Sequence, residues 1–323
     1  MINKKTTLIL GAGASQPYGF PSGRQLVEDI YNGLKYTRFR ESSLSPFTKG
    51  REIDNDQLSS NPFVQILLDY GFTKTDIENF RQSLMKSQFN SIDLFLEHRR
   101  DFLDIGKMSI AYTLLKHENP NKILNLDSNW YRSLWNKLNT SFEDFKNNQL
   151  KIITFNYDRS LEYYLFQAIK HAFGREEALS LFLFESIEII HLHGLLGNLY
   201  TNTGSLTKTE FGEVVTEPNR LLEISKNIRI IHEEDGQSNE FNKAIELLED
   251  SNKIFILGFG YGATNIKRLK IKELNIDFKI VGTGTGMTSM ELQKARLLLG
   301  DRQNFVIHGN LDCLNLMRNI SFE

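Results

Sequence analysis

The sequence predicts an α/β protein with a Rossmann-like, doubly wound and mainly parallel sheet. Three observations predict it: short apolar runs recur along the chain, helical patterns separate them, and a glycine-rich turn directly follows the first run. Continuous apolar runs are typical of parallel strands that are covered on both faces. Strands that alternate with helices indicate a doubly wound sheet.

The predicted strands and helices follow one another in a regular order. Apolar side chains at helical spacing follow the second strand at residues 161–168, precede the last strand at 290–299 and end the chain at 311–317. The predicted strands are residues 8–10, 152–154, 187–190, 254–257, 278–281 and 305–307.

A long segment between the first two strands, residues 61–148, contains helical patterns and no convincing strand. We predict that it is a helical insertion, or cap, over the carboxyl edge of the sheet, inside a single domain of residues 1–323. The alternative is an insertion that only widens the core or forms an oligomer interface. The helical candidates are residues 63–70, 77–85, 92–102, 108–116 and 130–145.

Two polar segments, residues 36–60 and 198–213, are rich in Ser, Thr, Asn and Gly and are predicted to be long loops. Ordered loops of this length are often lids or binding segments, and disorder is the competing interpretation.

Composition limits the possible functions. A net charge of −2 over 323 residues gives no basic footprint for direct nucleic-acid binding, although a local basic patch remains open. The single cysteine, Cys313, excludes an intrachain disulfide and a cysteine-based zinc site, and it fits a reducing cytoplasm. No apolar run reaches the roughly 18 residues of a membrane span, and no secretory signal is evident. We therefore expect a soluble cytoplasmic protein without membrane contact.

The glycine-rich segment Gly-Ala-Gly-Ala-Ser occupies residues 11–15, directly behind the first apolar strand. Glycine permits a tight turn and a close backbone approach to phosphate, and a helix that opens there directs its amides at the anion. The segment therefore predicts a site for the phosphates of a dinucleotide.

Two downstream segments follow predicted strands: Thr-Phe-Asn-Tyr-Asp at residues 154–158 and His-Leu-His-Gly at 191–194. His191 and His193 would share one face of a strand, which permits a metal pair. A metal site needs at least one further ligand, and none is evident nearby in the sequence, so we predict no metal. His191 is then best interpreted as a buried, hydrogen-bonded structural histidine.

Together these segments resemble the Sir2 (sirtuin) superfamily. Residues 11–15 match its Gly-Ala-Gly-x-Ser turn, and residues 258–260, Gly-Phe-Gly, resemble its Gly-Thr-Ser turn. The matches keep the family's order from residue 8 to about residue 315. The other matched positions are Gly19, Phe20, Pro21 and Arg24 of the first motif, Thr154, Asn156 and Asp158 of the second, and His193 and Gly194 of the third.

The resemblance implies that NAD⁺ lies across the carboxyl edge of the sheet. Ala12 and Ser15 would contact its phosphates, and Arg24 would lie near the pyrophosphate or the nicotinamide ribose. Arg24 has an alternative as a solvent-facing residue at a helix start. Asn156 would hold the ribose or a water, or be a turn residue. Asp158 would accept a hydrogen bond from the ribose or cap the following helix.

His193 is the predicted proton acceptor, because an imidazole of near-neutral pKa can take a proton from a hydroxyl or a water. The predicted catalytic residues are thus His193, Asn156 and Asp158. The predicted NAD⁺-binding residues are Gly11, Ala12, Gly13, Ser15, Pro21, Arg24, Thr154, Gly258, Gly260, Gly282, Thr283, Asp312 and Cys313.

The departures from the family change the expected chemistry. Sirtuin deacylases carry a four-cysteine zinc module after the His-Gly motif, where this chain has residues 198–219 and no cysteine. Phe155 replaces the Gln of the second motif, and Ser22 the Asp of the first. The chain looks more like the zinc-free Sir2-like domains of bacterial antiphage systems, which hydrolyse NAD⁺ to nicotinamide and ADP-ribose.

That resemblance implies an abortive-infection effector that acts after assembly as a homo-oligomer or with a separate activator chain, such as an ATPase or a short Argonaute. The main alternative is a regulatory module that binds NAD⁺ or ADP-ribose without turnover. Deacylation and ADP-ribosyl transfer are further alternatives.

Overall fold

The computed structural model describes residues 1–35, 61–124, 129–200, 208–230, 238–274, 278–301 and 303–321. The predicted loop at 36–60 lies outside these ranges, as do residues 201–207 of the second predicted loop. No helix in the described ranges is both long and apolar enough to cross a membrane.

The predicted fold class is confirmed, because the six predicted strands form one parallel sheet in the order β3-β2-β1-β4-β5-β6. The first strand lies in the middle of the sheet, and the chain winds away from it on both sides. The strands are β1 (Thr6–Leu10), β2 (Leu150–Thr154), β3 (Glu188–His191), β4 (Lys253–Leu257), β5 (Ile280–Thr283) and β6 (Phe305–His308).

The register of the central strands brings their carboxyl ends level. Leu10 pairs with Thr154 of β2 on one side and with Leu257 of β4 on the other, and Thr154 in turn pairs with His191 of β3. The segments that follow these four strands therefore begin at the same edge of the sheet. The gap between β1 and β4 is the topological switch point, where open α/β sheets bind ligands.

Helices cover both faces of the sheet. They are α1 (Gly23–Gly33), α2 (Pro62–Tyr70), α3 (Lys74–Lys86), α4 (Ile92–His98), α5 (Leu103–Leu115), α6 (Pro120–Leu124), α7 (Trp130–Leu138), α8 (Ser160–Phe173), α9 (Glu177–Glu185), α10 (Pro218–Ser225), α11 (Asn239–Glu249), α12 (Ala263–Arg268), α13 (Ser289–Leu298) and α14 (Cys313–Asn319).

The strands divide their side chains between two apolar clusters. In β1, Leu8 and Leu10 belong to the cluster shared with the helices between β1 and β2, while Ile9 belongs to the cluster shared with α11, α12 and α13. This alternation follows from the pleat, which directs successive side chains to opposite faces. Continuous apolar strands are therefore what a sheet covered on both faces requires.

Helices α2 to α7 lie within residues 61–148, the segment predicted to be a helical insertion. Two predicted helices are shorter than expected. The helix predicted at 92–102 ends at His98, because Arg99 leaves the helical backbone with φ −123° and ψ 71°. The helix predicted at 130–145 ends at Leu138, because the ψ of 126° at Asn139 is extended.

Candidate functional site

A cavity of about 1290 Å³ lies at the carboxyl edge of the sheet, over the switch point between β1 and β4. Its size exceeds the roughly 300–1,000 Å³ of typical small-molecule sites, so a dinucleotide-sized ligand fits by volume. The helical insertion contributes part of the wall, namely Asn90, Ser91, Asp93, Leu94, Glu97 and Trp130.

Many, but not all, of the predicted site residues line the cavity. Those that line it are Gly11, Ala12, Gly13, Asn156, His193, Gly258, Gly260, Thr283, Asp312 and Cys313. Those outside its lining are Ser15, Pro21, Arg24, Thr154, Asp158 and Gly282.

The first glycine turn differs from the expected strand–turn–helix geometry. Short 3-10 helices at Ala12–Ala14 and Gln16–Tyr18 follow β1, and the first α-helix begins only at Gly23. The side chain of Ser22 caps that helix by accepting a hydrogen bond from the Gln25 backbone. Both Ser22 and Gly23 line the cavity, so the start of α1 still faces it.

The glycines of the two turns are needed because the turns pack backbone against backbone. The Gly13 amide donates to the Gly258 carbonyl at 2.8 Å, and a Cβ on Gly13 would lie 2.8 Å from that same oxygen. Gly258 has a φ of +58°, and a Cβ there would lie 2.0 Å from the backbone nitrogen of Ala14. Glycine at these positions therefore permits close approach of the loops after β1 and β4.

Asn156 joins the second motif to the first. Its side-chain nitrogen donates to the carbonyl of Gly11 and to the hydroxyl of Ser15, each at 3.0 Å, and its backbone amide donates to Thr154 Oγ1. A carbonyl can only accept, so the contact with Gly11 fixes which end of the amide is nitrogen. Both amide hydrogens are used by the protein, and the Oδ1 oxygen is the group that Asn156 can offer to a ligand.

Asp158 lies behind this contact, outside the cavity lining. It accepts hydrogen bonds from the backbone amide and the hydroxyl of Ser160, the first residue of α8, whose N-cap position is occupied by Arg159. Burial raises the pKa of Asp158, against hydrogen bonds from Ser160 and Ser15. Ser15 thereby connects Asp158 to Asn156.

His193 is buried and lies in the cavity wall. Its carbonyl accepts a hydrogen bond from the Arg229 amide at 2.8 Å, and a Cβ on Gly194, whose φ is +74°, would lie 2.0 Å from the Asn227 carbonyl. The His-Gly turn is thus pressed against residues 227–229, which fixes the backbone that carries the ring. Burial lowers the pKa of His193, against the nearby Asp93 carboxylate, so the ring is neutral at neutral pH.

His191 faces a different environment, although it is only two residues away. Its Nδ1 donates to the carbonyl of Asn156 at 3.0 Å, and its Nε2 contacts the Glu162 carboxylate. Both partners are acceptors, which favours the doubly protonated ring. Among the described residues, no group of three or more potential ligands is placed to hold a metal ion.

Arg24 is not among the residues that line the cavity. Its side chain is 76 % exposed and pairs with Glu28, one helical turn along α1. The cation in the described part of the lining is instead Arg318, in the last turn of α14. Sequence reasoning missed Arg318 because no motif includes it.

The predicted NAD⁺-binding residues at the end of β5 and the start of α14 also have local structural roles. Asp312 caps α14 by accepting from the Asn315 amide at 2.7 Å, and Thr283 Oγ1 accepts from the Gly258 amide at 2.8 Å. Gly282 lies against Tyr261, whose hydroxyl would be 2.1 Å from a Cβ there. Burial raises the pKa of Cys313 to about 12, which makes an unreactive thiol.

The acidic residues of the insertion were also missed. Asp93 and Glu97 line the cavity from α4, and Glu97 pairs with Arg268 of α12 at 3.2 Å. Their only sequence signal is a capped helix start, in which Ser91 Oγ accepts from the Asp93 amide. Such a signal predicts a helix and says nothing about a cavity.

Comparison with protein-family models finds no match to the chain, and comparison with curated proteins finds no similar sequence. The fold and the cavity together define a class: a Rossmann-like α/β protein with a large cleft at its topological switch point, walled in part by a helical segment inserted between β1 and β2.

Proposed function

We propose that the chain is a Sir2-type NAD⁺ hydrolase, which converts NAD⁺ and water into nicotinamide and ADP-ribose. One observation carries the proposal: Asn156 and His193, from two distant segments, line the same cavity as the glycine turn of residues 11–13. These are the segments that carry the resemblance to zinc-free Sir2-like domains.

In the proposed reaction, the bond between the ribose C1′ and the nicotinamide nitrogen breaks, and its electron pair neutralises the pyridinium. Water adds to the positively charged ribose, and His193 accepts the proton that water loses. The lowered pKa of His193 supports this role because the ring is then an available base. Asn156 supports it by offering Oδ1 to the water or to a ribose hydroxyl.

The phosphates of NAD⁺ would lie between the turn at residues 11–13 and Arg318. The glycines of the turn permit close approach of a phosphate, and Arg318 offers a guanidinium, which suits phosphate oxygens. Arg318 takes the role that the resemblance gave to Arg24, whose side chain faces solvent.

The biological part of the proposal is an abortive-infection effector in the bacterial cytoplasm, active on assembly as a homo-oligomer or with an activator chain of ATPase or short-Argonaute type. Its support is the resemblance and the need to restrain an enzyme that would exhaust the NAD⁺ of its own cell.

A second candidate function is a module that binds NAD⁺ or ADP-ribose without turnover. Phe155 favours it, because a phenyl ring lines the cavity where the sirtuin motif has an amide, with its centroid 5.8 Å from that of His193. A phenyl ring cannot hold a water or a ribose hydroxyl by hydrogen bonds.

The deciding experiment incubates the purified protein with NAD⁺ over a range of protein concentrations and measures nicotinamide. The proposal expects release by the wild type and its loss in His193→Ala and Asn156→Ala. His171→Ala, on the exposed part of α8, is the matched control and should retain activity. Binding of NAD⁺ without release at every concentration, and with every candidate partner, would establish the binding module instead. Turnover that requires an acylated peptide would overturn the hydrolase proposal.

A further inference from the structure

A carboxylate of the helical insertion faces the candidate base. Oδ1 of Asp93, on α4, lies 3.5 Å from Nδ1 of His193, and that ring nitrogen is buried and has no hydrogen-bond partner among the described residues. The Asp93 carboxylate is itself held from both sides. Ser91 Oγ donates to Oδ2 at 3.0 Å, and the Tyr157 hydroxyl donates to Oδ1.

We propose that Asp93 is a positioning residue for His193, which keeps the proton of the neutral ring on Nδ1 and leaves Nε2 as the atom that accepts a proton in the cavity. This inference rests on the proposed hydrolysis of NAD⁺. It adds a residue from the helical insertion, outside every sequence motif, to the machinery of the reaction.

An ionised carboxylate selects the tautomer of an imidazole that faces it. An ionised Asp93 only accepts hydrogen bonds, so the ring nitrogen that faces it is stabilised in its protonated form. In a neutral imidazole the other nitrogen, Nε2, then carries the lone pair. When Nε2 takes the proton from water, the ring becomes positive, and Asp93 stabilises that charge without itself being protonated.

Other charged or titratable groups also face the ring. Glu97 of α4 and Arg268 of α12 pair with each other at 3.2 Å, and both act on the His193 ring electrostatically. Tyr157 faces the ring edge-on, with the centroids 6.1 Å apart. Among the described carboxylates Asp93 is the one within 4 Å of Nδ1, so its removal has a larger expected effect than removal of Glu97.

The first test observes the ring without any reaction. Nitrogen NMR of the ¹⁵N-histidine-labelled protein, with His193→Gln to assign the signal, should find the proton on Nδ1 of His193. Asp93→Asn should lower the pKa of His193 and mix the tautomers, because a charge that favours the protonated ring is lost. Tyr157→Phe should raise that pKa, because Oδ1 of Asp93 no longer accepts from a competing hydroxyl. A wild-type proton on Nε2, or an unchanged His193 titration in Asp93→Asn, would overturn the inference.

The second test is kinetic. Asp93→Asn should lower kcat for nicotinamide release about 10²–10⁴-fold with little change in KM, and should move the acid limb of the pH profile to lower pH. Asp93→Glu should restore part of kcat.

Asp101→Asn, which changes an exposed carboxylate of the same insertion, is the control and should leave both constants unchanged. A rise in KM alone would count against a positioning role. If the wild type releases no nicotinamide, the proposed function fails, while the NMR result still decides whether Asp93 sets the tautomer of His193.

Discussion

The side-chain nitrogen of Asn156 donates to the carbonyl oxygen of Gly11 at 3.0 Å, across 145 residues of sequence. The contact joins the loop after β2 to the loop after β1, and Ser15 accepts the second amide hydrogen. One side chain therefore holds the glycine turn in place and offers its oxygen to the cavity. Any change at Asn156 is expected to alter both the turn and the ligand site.

Replacing Asn156 with Asp should lower stability as well as NAD⁺ turnover. A carboxylate has no hydrogens to donate, so the Gly11 carbonyl loses its donor and faces a negative charge. We expect a loss of about 1–3 kcal/mol in the free energy of unfolding, measured by urea denaturation. Asn242→Asp, exposed on α11, is the control and should change stability by no more than about 0.5 kcal/mol. Equal stability of the two variants would show that the Gly11 contact is not significant.

The two glycines of the loop after β4 should respond differently to alanine. Gly258 has a positive φ and no room for a Cβ, whereas a Cβ on Gly260 would meet no atom within 4 Å. Gly258→Ala should lower the free energy of unfolding by at least about 2 kcal/mol. Gly260→Ala should cost less than about 1 kcal/mol. Because both glycines line the cavity, weaker NAD⁺ binding by a stable Gly260→Ala protein would show that the ligand approaches the backbone there.

The strands could be predicted from the sequence, whereas the site could be predicted only in outline. The difference is that the strands depend on local patterns and the site depends on contacts between distant segments. A strand covered on both faces must be continuously apolar, and that pattern is local in sequence. The contact between Asn156 and Gly11 depends on which loops become neighbours, and no local pattern specifies it. The sequence around Asp93 indicates only a charged residue at a capped helix start. Only the tertiary packing of α4, which contacts α1 and α5, brings the Asp93 carboxylate to His193.

Arg24 shows that a motif match in the sequence does not guarantee a place in the site. Its spacing from the glycine turn matches the family motif, yet its side chain on α1 is exposed and pairs with Glu28. A residue's position in a motif fixes its distance along the chain and not the direction of its side chain.

Replacing one partner of the buried ion pair of Arg159 and Glu118 should lower the stability of the fold strongly. Both side chains are fully buried, the carboxylate accepts from Nε and Nη2, and Nη1 donates to the Thr209 carbonyl. Glu118→Gln leaves a buried guanidinium without its countercharge, so we expect a loss of about 3–5 kcal/mol in the free energy of unfolding.

The control for this variant is the exposed pair of Lys5 and Asp250, where Asp250→Asn should cost no more than about 1 kcal/mol. Denaturation of the wild type and the two variants with guanidinium chloride gives the three free energies of unfolding to compare. A Glu118→Gln protein as stable as Asp250→Asn would mean that water or a rearranged loop compensates the charge of Arg159.

His191 should make the stability of the fold depend on pH. Burial lowers the pKa of His191, but the Glu162 carboxylate and the Asn156 carbonyl outweigh burial and raise it above the ordinary value. A raised pKa in the folded state means that the protonated ring stabilises the fold. That contribution is fully present below the unfolded pKa of about 6.5 and is lost as the pH rises through the folded pKa.

A double-mutant cycle between His191→Gln and Glu162→Gln isolates this contribution from the other effects of each substitution. The free energies of unfolding of the four proteins, measured by urea denaturation from about pH 5.5 to pH 9, should give a coupling energy that is largest at the acid end. The coupling should decline only above the ordinary histidine pKa, since the folded ring keeps its proton to higher pH. A coupling energy that grows with pH would mean that His191 is neutral in the folded protein and that Glu162 acts only as a hydrogen-bond acceptor.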